Sequence, residues 1–304
     1  MRRATTTDTP ALIAGLVTVT AWASAFVAIR GARDTLSPGS IALGRLLVST
    51  AILAAVALAR REPLPARRDI GLIAVYGVLW LCIYSVALNA AERRVDAGTA
   101  AMLINTGPIV IAILAGFLLD EGFPPGLFAG CAIAFLGCVT IALASSRHGD
   151  GAGLGIALLV IAALAYALAV VVQKAVLARA SAFSVTWLGC AAATLACLPF
   201  APALVRETSG AEQVGWLVYL GVVPTALGFA TWNFALRRTS AGRLASLTYL
   251  IPVIAVLLGW AALGETPPAI AAVGGALCLA GVYVARRRGS QPARSDRAHG
   301  LSRR

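Results

Sequence analysis

An offset of 144 residues lays this chain over itself without a gap. Pro108 falls on Pro252, Glu121 on Glu265, Asn89 on Asn233, Gly98 on Gly242 and Gly137 on Gly281. The pair Arg93-Arg94 falls on Arg237-Arg238, Trp22-Ala23 on Tyr166-Ala167, and Arg30 on Lys174. The chain is therefore a tandem duplication, and each copy must fold in the same solvent. That solvent is largely lipid: 59% of residues are hydrophobic and 12% charged, against about 25% charged in soluble domains. So few polar residues cannot cover the apolar surface of a water-soluble fold.

Apolar runs of spanning length cover 10–30, 38–59, 70–90, 97–119 and 124–144 in the first copy. The second copy gives 153–175, 184–205, 214–236, 243–263 and 268–285. A helix needs about 20 apolar residues to cross a bilayer, and lipid leaves backbone groups no partner outside their own helix. Runs this long lack the ten-residue alternation of barrel strands. The expected fold is an all-α integral membrane protein of ten transmembrane helices. It divides into an N-terminal segment 1–9, a first five-helix repeat 10–144, a loop 145–152, a second repeat 153–286 and a basic, disordered tail 287–304. The first run is too long for the apolar part of a signal peptide and has a counterpart deep in the chain, so it reads as a mature helix.

Five spans per copy is an odd number, so the second copy is expected to insert upside down. Arginine and lysine set the orientation. With the N-terminus inside, Arg2, Arg3, Arg60, Arg61, Arg67, Arg68, Lys174, Arg179, Arg237, Arg238, Arg243 and the tail arginines all face the cytoplasm. The Arg93-Arg94 turn is neutralised by Glu92 and Asp96, whereas its counterpart Arg237-Arg238 lacks those acids and gains Arg243. Recharged loops of this kind mark an inverted-topology repeat, an arrangement that recurs in carriers. Both termini are expected in the cytoplasm of a bacterial inner membrane.

The net charge of +12 does not signal a nucleic-acid partner, because the basic residues cap apolar runs or lie in the tail. All six cysteines lie inside apolar runs and read as small buried thiols. His148 and His299 fall in polar stretches, so no metal site, catalytic set or cofactor is expected. No phosphate-binding glycine loop is present, which excludes ATP as the driver. The expected partners are a small-molecule substrate and membrane lipid, with the chain acting as a monomer or homodimer.

The residues then support a resemblance. Trp22-Ala-Ser-Ala-Phe-Val-Ala-Ile-Arg30, Gly44-Arg45-Leu-Leu, and the doubled segment from Gly107-Pro108 to Glu121 and from Ile251-Pro252 to Glu265 together resemble the EamA-type branch of the drug/metabolite transporter superfamily. The likeness covers about residues 10–286. It implies ten helices around a central cavity, cytoplasmic termini, and export or exchange of small metabolites. One departure between the copies stands out, since Arg45 is answered by Gly189.

Arg45 lies about six residues, or ~9 Å, inside the outer end of its run. An arginine at a helix centre costs ~2.5 kcal/mol or more on insertion scales. Two readings stand: Arg45 holds an anionic group of the substrate, or it snorkels outward or pairs with Asp34. Pro108, Pro224 and Pro252 lie within runs and are expected to kink them, giving hinges. Asn105, Thr106, Thr248 and Tyr249, close to two of these prolines, could satisfy freed carbonyls or meet substrate.

Trp22, Trp80, Tyr84, Tyr166 and Tyr249 are candidate walls of a substrate cavity, with Trp187 and Trp232 at shallower depth. Asn89 and Asn233 are candidate polar contacts. Interface enrichment of Trp and Tyr offers the competing explanation for the aromatics. Glu121 and Glu265 occupy turns beside Pro124 and Pro268, where a carboxylate caps helix N–H groups. Gly126, Gly130, Gly137, Gly274 and Gly281 give small faces for close packing. No Asp, Glu or His lies in the middle of a run, so proton coupling is either unusual or replaced by facilitation. The expected function is export of small organic metabolites, amino acids or related compounds, by alternating access of the two repeats. The rival classes are a polytopic lipid-modifying enzyme, which would need a clustered catalytic pair near an interface, and a membrane scaffold, which would not need the inverted symmetry.

Overall fold

A computed structural model describes residues 8–32, 34–91, 94, 103–145, 152–263 and 269–287. Glu265, Arg93, Asp96, Gly98, most of the loop between the copies, the N-terminal segment before Asp8 and the tail beyond Arg287 lie outside the described residues. Everything described is helix or short connection. The helices are α1 (Thr9–Ala32), α2 (Pro38–Arg60), α3 (Arg67–Ala91), α4 (Gly107–Leu118), α5 (Pro125–Ser145) and α6 (Ala152–Leu177). They continue with α7 (Ala182–Glu207), α8 (Ala211–Arg238), α9 (241–263) and α10 (Ala269–Arg287). Among the described residues, seven segments are long and apolar enough to cross a membrane, and the apolar stretches of α4, α5 and α10 are shorter.

Two pairs of equivalent helices, α2 with α7 and α5 with α10, pack antiparallel through reciprocal contacts. Ser37 caps α2 and Ser181 caps α7, each with extended backbone and each accepting from the N–H three residues on, as serine does at helix starts. The copies are 144 residues apart at this position too. Each cap is held by an acid from the far end of the other helix. Glu207 accepts from the Ser37 N–H at 2.7 Å, and Glu62 accepts from the Ser181 and Ser184 hydroxyls.

A second seam joins α5 and α10. A Cβ added at Gly137 would stand 2.6 Å from the Gly274 carbonyl, and one added at Gly281 would stand 2.6 Å from the Gly130 carbonyl. Gly130 and Gly274 are themselves repeat partners, so the contact is reciprocal. Helices in lipid gain no hydrophobic drive toward each other, and close backbone approach over small residues takes its place. At the centre of this seam the Cys278 thiol donates to the Ala134 carbonyl at 3.5 Å, again across 144 residues.

The remaining packing exchanges between the copies. Helix α1 lies against α8 and α9 of the second copy, and α6 lies against α3 and α4 of the first. Both α3 and α8 widen into π-helix, over Gly77–Tyr84 and Gly221–Leu227 respectively, and both segments start at the same repeat position. A Cβ at Gly77 would stand 2.3 Å from the Gly189 carbonyl, and one at Gly221 would stand 2.8 Å from the Arg45 carbonyl. Arg45 and Gly189 are repeat partners, so the two wide turns are wedged symmetrically against α7 and α2. Such π segments occur often at functional sites.

The prolines correct the sequence expectation. Pro108 is the second residue of α4, where the missing N–H has no partner to lose. Its helix starts afresh after a turn at Asn105 and Thr106. Pro252 follows a 3-10 turn at Ser246–Tyr249. Thr106 and Thr248 donate to the carbonyls of Leu103 and Ala245 at 2.6 and 2.7 Å, which are not the carbonyls a proline frees. Only Pro224 of the three stands inside a helical turn that departs from α geometry, within the π segment of α8.

Candidate functional site

Aromatic rings fill the middle of the molecule where the copies meet. Trp80, at mid-length of α3, is the hub: its ring centroid lies 5.6 Å from Trp22, 4.9 Å from Tyr166, 5.0 Å from Phe229 and 5.4 Å from Trp232. Trp22 and Tyr166 are repeat partners, so Trp80 stands between equivalent residues of the two copies. Tyr76 meets Trp80 edge-on at 6.2 Å, and Tyr84 meets Tyr166 at 5.9 Å. Trp22 also touches Trp232 at 5.1 Å. Tilted and edge-on pairs of this kind contribute about 0.5–1.5 kcal/mol each beyond buried area.

Pro224 explains the local chemistry of α8. It lacks the N–H that would bond the Leu220 carbonyl four residues back. The Thr225 hydroxyl takes over, donating to that carbonyl at 2.6 Å. The Pro224 carbonyl in turn accepts the Trp22 indole N–H at 3.0 Å. Having spent its proton on Leu220, the Thr225 oxygen accepts from Arg45 Nε at 2.8 Å.

Arg45 of the first copy is thereby turned inward, half-buried, onto the π segment of the second. At the equivalent point Gly189 leaves space that the Tyr76 ring occupies, 2.5 Å from where a Cβ would lie. The symmetry of the two copies breaks here because an arginine and a tyrosine have taken unlike roles on opposite sides.

Polar side chains line the inner flank. Trp232 donates to Gln173 Oε1 at 3.0 Å, and Asn233 Nδ2 donates to Thr186 at 2.8 Å. All four of these residues are buried. Lys174 and Glu121 grip the turn between α8 and α9. Lys174 Nζ donates to the Leu236 and Thr239 carbonyls at 2.6 Å each, and Glu121 accepts from the Ala241 and Gly242 N–H groups at 2.8 and 3.4 Å. Glu121 therefore caps a helix of the other copy rather than α5, the next in its own. Left-handed Asp120 and Gly122, at φ 53° and 71°, reverse the chain so that its carboxylate faces that way.

Of the sequence candidates, Trp22, Trp80, Tyr84, Tyr166, Trp232 and Asn233 come together, and Arg45 reaches the same region through Thr225. Among the described residues, Trp187 is half-buried on α7 with no hydrogen-bond partner for its indole nitrogen, and it makes no ring contact with the hub. Asn89 is half-buried near the C-terminal end of α3, Asn105 is buried in the turn before α4, and Tyr249 is buried in the 3-10 turn within α9. Tyr76, Phe229, Gln173, Thr186 and Thr225 were not anticipated. Gln173 carried the only clear signal, a lone amide inside the apolar run 153–175.

The EamA-like transporter family matches residues 9–143 and again residues 153–287. A protein of Streptantibioticus cattleyicolor named "Probable terminal-alkyne amino-acid exporter" is 36% identical over 284 residues, covering 90% of this chain and 92% of the relative. A Salmonella typhimurium protein named "Probable amino-acid metabolite efflux pump" is 26% identical over 88% of this chain and 92% of its own length. A solved crystal structure superposes with a TM-score of 0.77 at 22% identity, over 92% of this chain and 98% of that one, which shows the fold. With both copies matched and seven segments of spanning length, the chain is a multi-pass membrane protein and belongs to the EamA-like transporter family.

Proposed function

We propose that this chain is a secondary exporter of small organic metabolites, amino acids or related compounds, working in a bacterial inner membrane. Ten helices cross the membrane as two inverted five-helix repeats, residues 10–144 and 153–286, with both termini in the cytoplasm. The three shorter helices α4, α5 and α10 complete the ten. Two similar halves of opposite direction exchange conformations, so the same central residues face one side and then the other.

One observation carries the reading. Arg45 is the only formal charge placed well inside a span among the described residues that reach the centre, and a neutral hydroxyl of the opposite copy holds it. An arginine so placed is a ready partner for a carboxylate, and the aromatic hub beside it suits the apolar part of an amphipathic solute. One relative named a probable terminal-alkyne amino-acid exporter and another named a probable amino-acid metabolite efflux pump support the same substrate class.

Flux in liposomes tests it. Purified protein is expected to move amino acids or close derivatives down their gradients. Arg45→Ala is expected to lower that flux about tenfold or more, because a hydrogen bond to a charged group is worth about 1.5–3 kcal/mol. Insertion and monodispersity should be kept. Failure to move any solute across a panel of amino acids, amines and sugars overturns the carrier reading. Flux indifferent to an imposed pH gradient supports facilitation, in keeping with the lack of a mid-span carboxylate.

A further inference from the structure

Three polar atoms without partners meet beside the aromatic hub. Tyr76 on α3, Gln173 on α6 and Asn233 on α8 are each fully buried, at 0% exposure. The Tyr76 hydroxyl faces both side-chain amides closely enough to interact with them, but Tyr76 Oη, Gln173 Nε2 and Asn233 Oδ1 all fall outside hydrogen-bond geometry. Buried polar atoms are nearly always paired in native proteins, so three orphans in one place call for a cause.

The neighbours fix which end of each amide is free. An indole nitrogen only donates, so the bond from Trp232 at 3.0 Å must end on the oxygen of Gln173. That leaves its NH2 group free. Thr186 gives its single hydroxyl proton to the Ala182 carbonyl at 2.8 Å. It can therefore only accept from Asn233, which must present its NH2 at 2.8 Å. That leaves the Asn233 carbonyl free. The anchors hold one donor group and one acceptor side by side, with a hydroxyl between that can do either.

The cluster draws on both copies and belongs to one orientation of them. The repeat counterparts of Tyr76, Gln173 and the anchor Thr186 are Leu220, Ile29 and Ala42, all apolar, and only Asn233 has a polar counterpart, Asn89. No formal charge is carried by any of the three. Tyr76 immediately precedes the π segment of α3, and Asn233 follows that of α8. Movement of either wide turn would part the cluster and open it to a solute.

We infer that Tyr76, Gln173 and Asn233 form a neutral subsite that selects solutes carrying a hydrogen-bond donor beside an acceptor. The ammonium–carboxylate pair of an amino acid has this chemistry, and so does a carboxamide. A quaternary ammonium offers no donor and a sulfonate offers only acceptors, so each leaves part of the subsite unpaired. The inference rests on the carrier reading and adds to it the residues that discriminate.

The full chain in lipid nanodiscs, followed by thermal unfolding, tests it with four probes. Leucine presents only the ammonium–carboxylate pair, butyramide only the amide, tetraethylammonium no donor and methanesulfonate no donor. Stabilisation by leucine or by butyramide, and not by the last two, supports the subsite and names the group it holds. Tyr76→Phe removes one orphan atom and little else, so it should fold with unchanged or raised stability. Its apparent affinity for the stabilising probe should fall about tenfold. Gln173→Met and Asn233→Leu should erase the preference over tetraethylammonium. Equal response to all four probes, or an unchanged preference in the three variants, overturns the subsite. If the unmodified protein carries amino acids in liposomes while the variants keep its preference, only this inference fails. If it carries nothing, the carrier reading has failed first.

Discussion

Thr50 and Thr194, 144 residues apart, hydrogen-bond to each other at 2.8 Å. Thr194 donates to the Cys190 carbonyl at 2.8 Å, so Thr50 is the donor between them. A contact between repeat partners lies on the two-fold axis, and it has a property that contacts between unlike positions lack. If the second state of a carrier is made by exchanging the conformations of its halves, this contact maps onto itself. Cysteines at Thr50 and Thr194, in a background without the six native cysteines, should therefore cross-link under mild oxidation while solute flux continues. Abolished flux in the cross-linked protein, restored by reductant, would mean that α2 and α7 slide past each other.

The Arg45–Thr225 bond behaves oppositely under the same exchange. Its image would join Gly189 to Leu81, which have no side-chain hydrogen bond to make. The bond therefore belongs to one state. Thr225→Val removes the acceptor for Arg45 and the donor for Leu220, and should shift the equilibrium away from the present state by about 1.5–3 kcal/mol. Thr225→Ser keeps both bonds and should behave as the native protein. Distance distributions between spin labels on α2 and α8 would read the shift, and identical distributions in the Val and Ser variants would refute it.

What could be read in the sequence was what repeats. The 144-residue register anticipates the α5–α10 seam because Gly137 and Gly281 hold the same place, and Arg45 stands out because a guanidinium in an apolar run is costly wherever it points. Contacts between unlike positions left no such trace. Thr225 reads as an ordinary threonine until its partner, 180 residues away, is known. Glu121 was legible as a cap, but which helix it caps depends on how the copies interlock. Pro108 looked like an interior kink because the apolar run 97–119 shows no break, and the helix begins only at Gly107. Tyr76 has the composition of a packing residue; its role appears only beside the two amides.

The glycine seam makes a stability prediction with an internal control. A Cβ at Gly281 would lie 2.3 Å from the backbone nitrogen of Ala134, and a backbone atom cannot swing aside. Gly281→Ala should force α5 and α10 apart at a cost of about 1–3 kcal/mol. Gly71, on α3, has nothing within 4 Å of an added Cβ. Gly71→Ala should be neutral or stabilising by about 0.5–1 kcal/mol, the usual gain of alanine in a helix. Thermal unfolding in detergent separates the two, and equal effects would remove the seam from its structural role.

Glu121 and Lys174 hold one turn from two sides. Lys174 satisfies carbonyls at the end of α8, where the helix dipole favours a cation, and Glu121 satisfies N–H groups at the start of α9, where it favours an anion. Glu121→Gln should cost about 1 kcal/mol as a lost cap, and Lys174→Met should cost a similar or larger amount by stranding two carbonyls. Because both side chains restrain the same residues, the double variant should cost less than the two single costs together. Loosening should also be visible locally. A cysteine at Ser240, in a protein whose native cysteines are replaced, should react faster with a membrane-impermeant maleimide in the Glu121→Gln background. In the proposed orientation that reaction occurs in inverted vesicles, which expose the cytoplasmic side, and not in right-side-out ones. Additive costs would separate the two grips, and labelling from the opposite side would invert the orientation of the whole chain.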